Sequence, residues 1–279
     1  MALSPLRGAL RAALFLVLTA ILFLVFMIAR CGGRRATLPV RRWWCRATAH
    51  LLGVRIRSRG RPFTACPTLY VANHVSYLDI LALGALTDGT FIAKAEIASW
   101  PLFGTLGRIT RTFFVRRHWR HALIQRNDLA ARLRTGESFV LFAEGTSSNG
   151  LAVLPLKTSL LSVVEPWVLD CPIAVQPITL AYVRLGDGTL VTPETCDLYA
   201  WHGAAAFLPH LWRALQACGV EIEVIVGNAV LSWSVRSRKI LGRELRMQLS
   251  SELAAARLAG CAAPAADLVD VPGGGLTMP

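Results

Sequence analysis

The chain has 279 residues, with 30 Lys+Arg against 17 Asp+Glu for a formal net charge of +13, yet 54% of its residues are hydrophobic. That length suffices for one large domain or two small ones, and the pairing of positive charge with apolarity suits an anionic membrane surface and sets nucleic acid aside as a partner. Seven cysteines with no C-x-x-C pair argue against both a zinc site and a disulfide framework and for reduced thiols.

From Ala12 to Ala29 the chain carries no charge. As a helix this run reaches roughly 27 Å, close to a bilayer core, so it is read as a membrane anchor rather than a cleaved leader. Arginines at 30, 34, 35, 41, 42 and 46 follow it, and the positive-inside rule then leaves the rest of the chain in the cytoplasm. Between Leu38 and Val54, tryptophan beside arginine (Trp43, Trp44, Arg41, Arg42, Arg46) predicts a helix in the headgroup layer. Arg55 to Pro62 alternates like an edge strand whose charges face phospholipid or water.

The next stretch, Val71-Ala72-Asn73-His74-Val75-Ser76-Tyr77-Leu78-Asp79-Ile80, sits where an apolar run gives way to a helical pattern. On one regular helix, side chains five apart point about 140° from each other. His74 and Asp79 can meet only if the histidine lies in the turn after a strand and the aspartate in the first helical turn beyond. A base with its orienting acid is one reading; Ser76-x-x-Asp79 as a helix cap is the other.

Further strands are predicted at Phe91–Lys94, Thr112–Val115, Ser138–Phe142, Ile173–Ile178 and Val220–Val226. Between them fall an amphipathic helix from Trp119 to Thr135, stopped by Gly136, and a helix near His210 to Ala217. Trp100 to Gly104 reads as a break, and Arg236 to Leu253 as a closing helix. The strand ending at Phe142 opens directly into Ala143-Glu144-Gly145-Thr146-Ser147-Ser148, a place to present amides, a hydroxyl and a carboxyl to a polar ligand, or simply a turn. Strands alternating with helices give an α/β fold. Three parts are expected: an anchor and interfacial helix over 1–60, a mixed sheet flanked by helices over 61–253, and a disordered tail over 254–279.

Together, N-H-V-S-Y-L-D from Asn73, F-F-V-R-R from Phe113, F-A-E-G-T-S-S from Phe142 and V-Q-P-I from Val175 resemble the four sequence blocks of the glycerolipid acyltransferases. The bacterial lysophosphatidic acid (1-acylglycerol-3-phosphate) acyltransferases are the class most resembled. The resemblance implies His74 as the base that takes the acceptor hydroxyl proton and Asp79 as its orienting partner. It implies Arg117, Glu144, Gly145 and Thr146 as holders of the acceptor head, and Pro177 as a channel residue. The acyl donor would be acyl-CoA or acyl carrier protein, the acceptor a lysolipid, with no metal or other cofactor, and the location the cytoplasmic face of a bacterial inner membrane.

Two departures bear on the acceptor. The second block usually begins with glycine where this chain has Arg111, and the third usually reads F-P-E-G-T-R-S, so Ala143 replaces proline and Ser147 replaces arginine. Losing that arginine removes a cation from a phosphate pocket, for which Arg111 or Arg116 could substitute. Lysophosphatidic acid is therefore the first expectation and zwitterionic lyso-ornithine lipid the alternative. A serine hydrolase lacks a G-x-S-x-G elbow here, and a non-catalytic membrane adaptor would have no use for His74, Asp79 and Glu144.

Overall fold

In a computed structural model, residues 3–116 and 118–262 are described. Among these, eight strands form one mixed sheet in the order β1-β7-β6-β2-β5-β3-β4, with β8 added beside β6. The strands are β1 (Val54–Arg59), β2 (Thr68–Ala72), β3 (Thr90–Lys94), β4 (Phe113–Val115), β5 (Phe139–Phe142), β6 (Ala174–Leu185), β7 (Val220–Val226) and β8 (Val230–Leu231). β2 lies between β6 and β5 and runs parallel to both. Every residue of β2 is buried, as expected of a strand covered on both faces. Tyr70 and Ala72 belong to the core on one face, Leu69 and Val71 to the core on the other.

The helices are α1 (Pro5–Ala29), α2 (Gly33–Leu51), α3 (Leu78–Leu86), α4 (Phe103–Ile109), α5 (Ala122–Arg134), α6 (Phe207–Gln216) and α7 (Arg238–Ala262). In α5, Leu129 and Leu133 are buried as expected, but Leu123 and Ile124 are exposed. The strand expected to stop at Ile178 continues to Leu185, and the residues expected to begin a disordered tail continue α7 to Ala262, with Ala256 buried against Ala181 and Val183. Residues 263–279 lie outside the described part.

α1 is the one described helix long and apolar enough to cross a membrane. Its N-terminal end nevertheless touches the body of the protein. The Ser4 N–H donates to the Gln216 carbonyl at 3.2 Å, and Arg11 donates to the carbonyls of Leu215 and Ala217. Beyond the far end, Arg34 donates to the carbonyls of Asp88 and Gly136. Between these points α1 pairs with α2 through Phe15 against Trp44 and a Trp44 indole N–H donated to Thr19. Its outward side is a continuous stripe of exposed Leu6, Leu10, Leu14, Val17, Ile21, Leu24 and Ile28.

The arginines of α2 are placed differently from the headgroup-facing helix read in the sequence. Arg41 donates to the carbonyls of Thr87 and Gly89, Arg46 to that of Ala85, and Arg42 pairs with Asp88 at 2.9 Å. These groups cluster at the C-terminal end of α3, whose free carbonyls and negative dipole end attract cations. Cys45 seats the two helices closely: a Cβ at Gly84 would stand 2.5 Å from its sulfur. On β1, Arg57 and Arg59 pair with Glu221 and Glu223 of β7 rather than facing phospholipid. Among the described residues, Cys31, Cys45, Cys66, Cys171, Cys196 and Cys218 form no disulfide.

Candidate active site

The C-terminal ends of β2 and β5 lie side by side, and each opens into a polar turn; in α/β sheets, such a position is where ligands bind. Asn73, buried at the end of β2, donates to the Leu180 carbonyl at 2.9 Å and accepts from the Leu180 N–H at 2.7 Å. Its side chain thus extends the pairing with β6 and fixes where the next residue, His74, leaves the sheet.

The His74 Nδ1–H donates to Asp79 Oδ2 at 2.7 Å. The same oxygen accepts the backbone N–H groups of Val75 at 2.7 Å and Ser76 at 3.0 Å, while Oδ1 accepts the Tyr182 hydroxyl at 2.7 Å. Asp79 thereby holds the imidazole and ties down the two residues that lead into α3, whose N-cap, Tyr77, makes no side-chain capping bond. Four donors surround a side chain that is 0% exposed, which is how a buried carboxylate is normally satisfied. With Nδ1 committed as a donor, Nε2 is the nitrogen with a lone pair to accept a proton. The Phe142 ring stacks on the imidazole at 4.0 Å between centroids.

The turn after β5 grips the backbone of His74 from both sides. Glu144 Oε1 accepts the His74 N–H at 3.3 Å, and the Ser148 N–H donates to the His74 carbonyl at 2.8 Å. Glu144 is 2% exposed, and burial pushes its carboxyl up to about 8, with the charge of Asp79 adding to that effect. The shift favours its neutral form, and it reaches His74 through the backbone. Gly145, at φ +72°, makes the turn that a side chain would strain, and Thr146 is exposed at the rim. Ser147, in the place where arginine was expected, donates its hydroxyl to the Trp201 carbonyl.

Of the remaining residues expected at the site, Pro177 lies mid-strand in β6, paired with Val71 and close against Gly227. Arg117 lies outside the described residues. Arg111, considered as a replacement cation, stands before β4 at the opposite edge of the sheet, 3.6 Å from Glu137 at the start of β5. Arg116, just after β4, is exposed on the same edge as the site.

Tyr182 and Ser148 were not identified as contributors by sequence reasoning. Tyr182 falls 103 positions from Asp79, so only the β2–β6 pairing makes them neighbours. Ser148 could have been suspected from the turn, but its backbone N–H makes the stronger contact.

A histidine oriented by a buried aspartate, at the end of a central parallel strand and beside a hydroxyl-rich turn, defines a base suited to acyl transfer onto a hydroxyl group. The comparisons identify the class. A profile described as Acyltransferase matches residues 55–180. The chain is 35% identical over 251 residues to a lyso-ornithine lipid O-acyltransferase of Brucella abortus, covering 88% of this chain and 93% of that one. It is 36% identical over 169 residues to a 1-acyl-sn-glycerol-3-phosphate acyltransferase of Neisseria gonorrhoeae, covering 59% and 62%. In fold it matches the crystal structure of a 1-acyl-sn-glycerophosphate acyltransferase of Thermotoga maritima, with a TM-score of 0.66 at 18% identity over 91% of this chain and 94% of that one. The chain belongs to this acyltransferase family, whose members in these comparisons act on lysolipids.

Proposed function

We propose that the protein transfers a fatty acyl group from an acyl thioester, either acyl-CoA or acyl carrier protein, to the free hydroxyl of a lysolipid. The observation that carries this is the 2.7 Å bond from His74 Nδ1 to Asp79, which leaves Nε2 as the proton acceptor. The acceptor hydroxyl gives its proton to Nε2 as its oxygen attacks the thioester carbonyl. Asp79 balances the imidazolium that results. When the tetrahedral intermediate collapses, the C–S bond breaks and the proton passes from Nε2 to the departing thiolate. A thioester is already activated, so a positioned base of this kind carries the step.

The acceptor we favour is lyso-ornithine lipid. A phosphate dianion calls for fixed cations. Here Ser147 stands at the expected arginine position, and Arg111 is turned to Glu137. A zwitterionic head with its own amine and carboxylate needs less cationic recognition, and the Brucella relative, similar over nearly its whole length, acts on that lipid. Lysophosphatidic acid is the second reading, supported by the Neisseria relative and by the exposed Arg116 at the C-terminal end of β4. Purified protein in mixed micelles, given labelled acyl-CoA and either lysolipid, should show the higher kcat/KM for lyso-ornithine lipid. A preference for lysophosphatidic acid would reverse the choice, and transfer to neither would remove the acyltransferase reading itself.

The membrane location proposed is the cytoplasmic face of a bacterial inner membrane. α1 meets the bilayer through its outward apolar stripe, with its N-terminal end held to α6 through Ser4 and Arg11. The chain should then sediment with membranes and be released by detergent.

A further inference from the structure

A cluster of aromatic rings connects the catalytic motif to exposed apolar side chains far from α1 in sequence. Tyr77, between His74 and Asp79, packs edge-on against Phe207 of α6 at 5.3 Å. Phe207 also touches Trp100 at 5.4 Å, Phe103 at 5.2 Å and Trp201 at 5.5 Å. The Tyr77 hydroxyl donates to His210 Nδ1 at 3.1 Å, and His210 Nε2–H donates to the Ala200 carbonyl at 3.0 Å, so α6 is tied to the motif by polar contacts as well.

Next to these rings in sequence stand apolar side chains that remain exposed. Leu208 is 72% exposed, Trp212 43% and Leu102 42%. Leu208 and Trp212 are four apart, on one face of α6. Ahead of them Gly203 to Ala206 are exposed, a segment with small side chains and no charge. α6 also adjoins the lipid-facing helix: a Cβ at Gly8 of α1 would stand 3.3 Å from the Trp212 ring, and the Ser4 N–H bonds Gln216. Exposed leucines beside a tryptophan and the exposed Arg213, continuous with an apolar helix, have the composition of a membrane–water interface.

We infer that Leu102, Leu208 and Trp212 form a second bilayer contact, adjoining that of α1 at Trp212, which sets the lipid surface at the edge of the aromatic cluster so that a lysolipid reaches His74 without passing through water. The partner is a phospholipid bilayer. The inference rests on the proposed membrane-bound lysolipid acyltransferase.

Leu208→Gln, Leu208→Asp and Leu102→Asn test it. Leu102 has φ +62°, a conformation asparagine adopts more readily than leucine, so Leu102→Asn removes the apolar contact without adding backbone strain. Transfer is measured to long-chain lyso-ornithine lipid, and in parallel to lysophosphatidic acid, in vesicles of phosphatidylethanolamine and phosphatidylglycerol. It is measured again with a short-chain lysolipid kept below its critical micelle concentration. Each variant should lose about tenfold or more in kcat/KM on vesicles, the order expected for one buried leucine, and stay within about twofold of wild type on the dispersed acceptor. Unchanged activity on vesicles would overturn the inference, and so would an equal loss on both acceptors. A loss confined to Leu208→Asp would also overturn it, since charge and not lost apolar contact would then be the cause. If the wild-type protein fails to sediment with the vesicles, the membrane reading itself falls; if it sediments and the variants act as wild type, only this second contact does.

Discussion

Two buried carboxyl groups flank His74, and their surroundings are opposite. Asp79 receives four hydrogen bonds, on both oxygens, including the bond from the imidazole. Glu144 is met by backbone amides, those of His74 and Leu154. Both are almost wholly inaccessible, so burial alone does not separate them. The donors do: a carboxylate bonded on both oxygens, by an imidazole and a tyrosine hydroxyl as well as two amides, can balance charge that appears on the ring during reaction, whereas a carboxyl met by fewer, backbone donors is pushed toward its neutral form by desolvation and serves as a fastener.

The comparison breaks most sharply at Asp79. Asp79→Asn puts an amide among four donors and removes the counter-charge of the imidazolium. Turnover should fall by about 10²- to 10⁴-fold, the range seen when a base loses its orienting acid, and wild-type turnover would leave Asp79 only its hold on the residues that lead into α3. Tyr182→Phe is gentler, because three donors stay on Asp79. A hydrogen bond to a charged group contributes roughly 1.5–3 kcal/mol, so kcat should fall by about ten- to 150-fold, with the KM for either substrate little changed. A raised acceptor KM at constant kcat would instead place Tyr182 in binding.

Glu144→Gln should do least to turnover, since the amide oxygen still accepts the His74 N–H; activity at pH 7 should stay within about threefold of wild type. Its signature is in stability. Unfolded, the carboxyl ionises near its ordinary 4.5; folded, it holds its proton up to about 8. The folded state therefore binds more protons across that window. The contribution of Glu144 is complete below pH 4.5 and is lost as pH rises through 8, at most about 1.4 kcal/mol per pH unit. Thermal melts from pH 5 to pH 9 should show wild-type stability declining more steeply than that of Glu144→Gln. Parallel curves would mean that Glu144 is ionised in the fold.

Much of this site was legible because its key spacing is local. A carboxylate five residues beyond a histidine can reach it only across a strand–turn–helix junction, and β2 and α3 supply that junction on either side of the pair. The apolar strands were equally plain, since alternation and burial are written in consecutive residues. What escaped was set by tertiary partners. The arginines of α2 advertise a need for anions or carbonyls, and the sequence around them does not reveal that α3 ends alongside. Tyr182 sits in a stretch whose polar residues, Tyr182 and Arg184, disguise the second half of β6. The alanines after Leu253 looked like low complexity until α7 packed Ala256 against β6.

The most direct test of the account is His74→Ala, assayed for acyl transfer to both lysolipids in mixed micelles alongside its melting temperature. The imidazole is proposed to act in the chemical step, and the backbone contacts of residue 74 to Glu144 and Ser148 survive the substitution. The account predicts turnover lower by at least about 10²-fold on either acceptor, with membrane binding retained and melting shifted by no more than a few degrees. Turnover near wild type, with the fold equally intact, would contradict it.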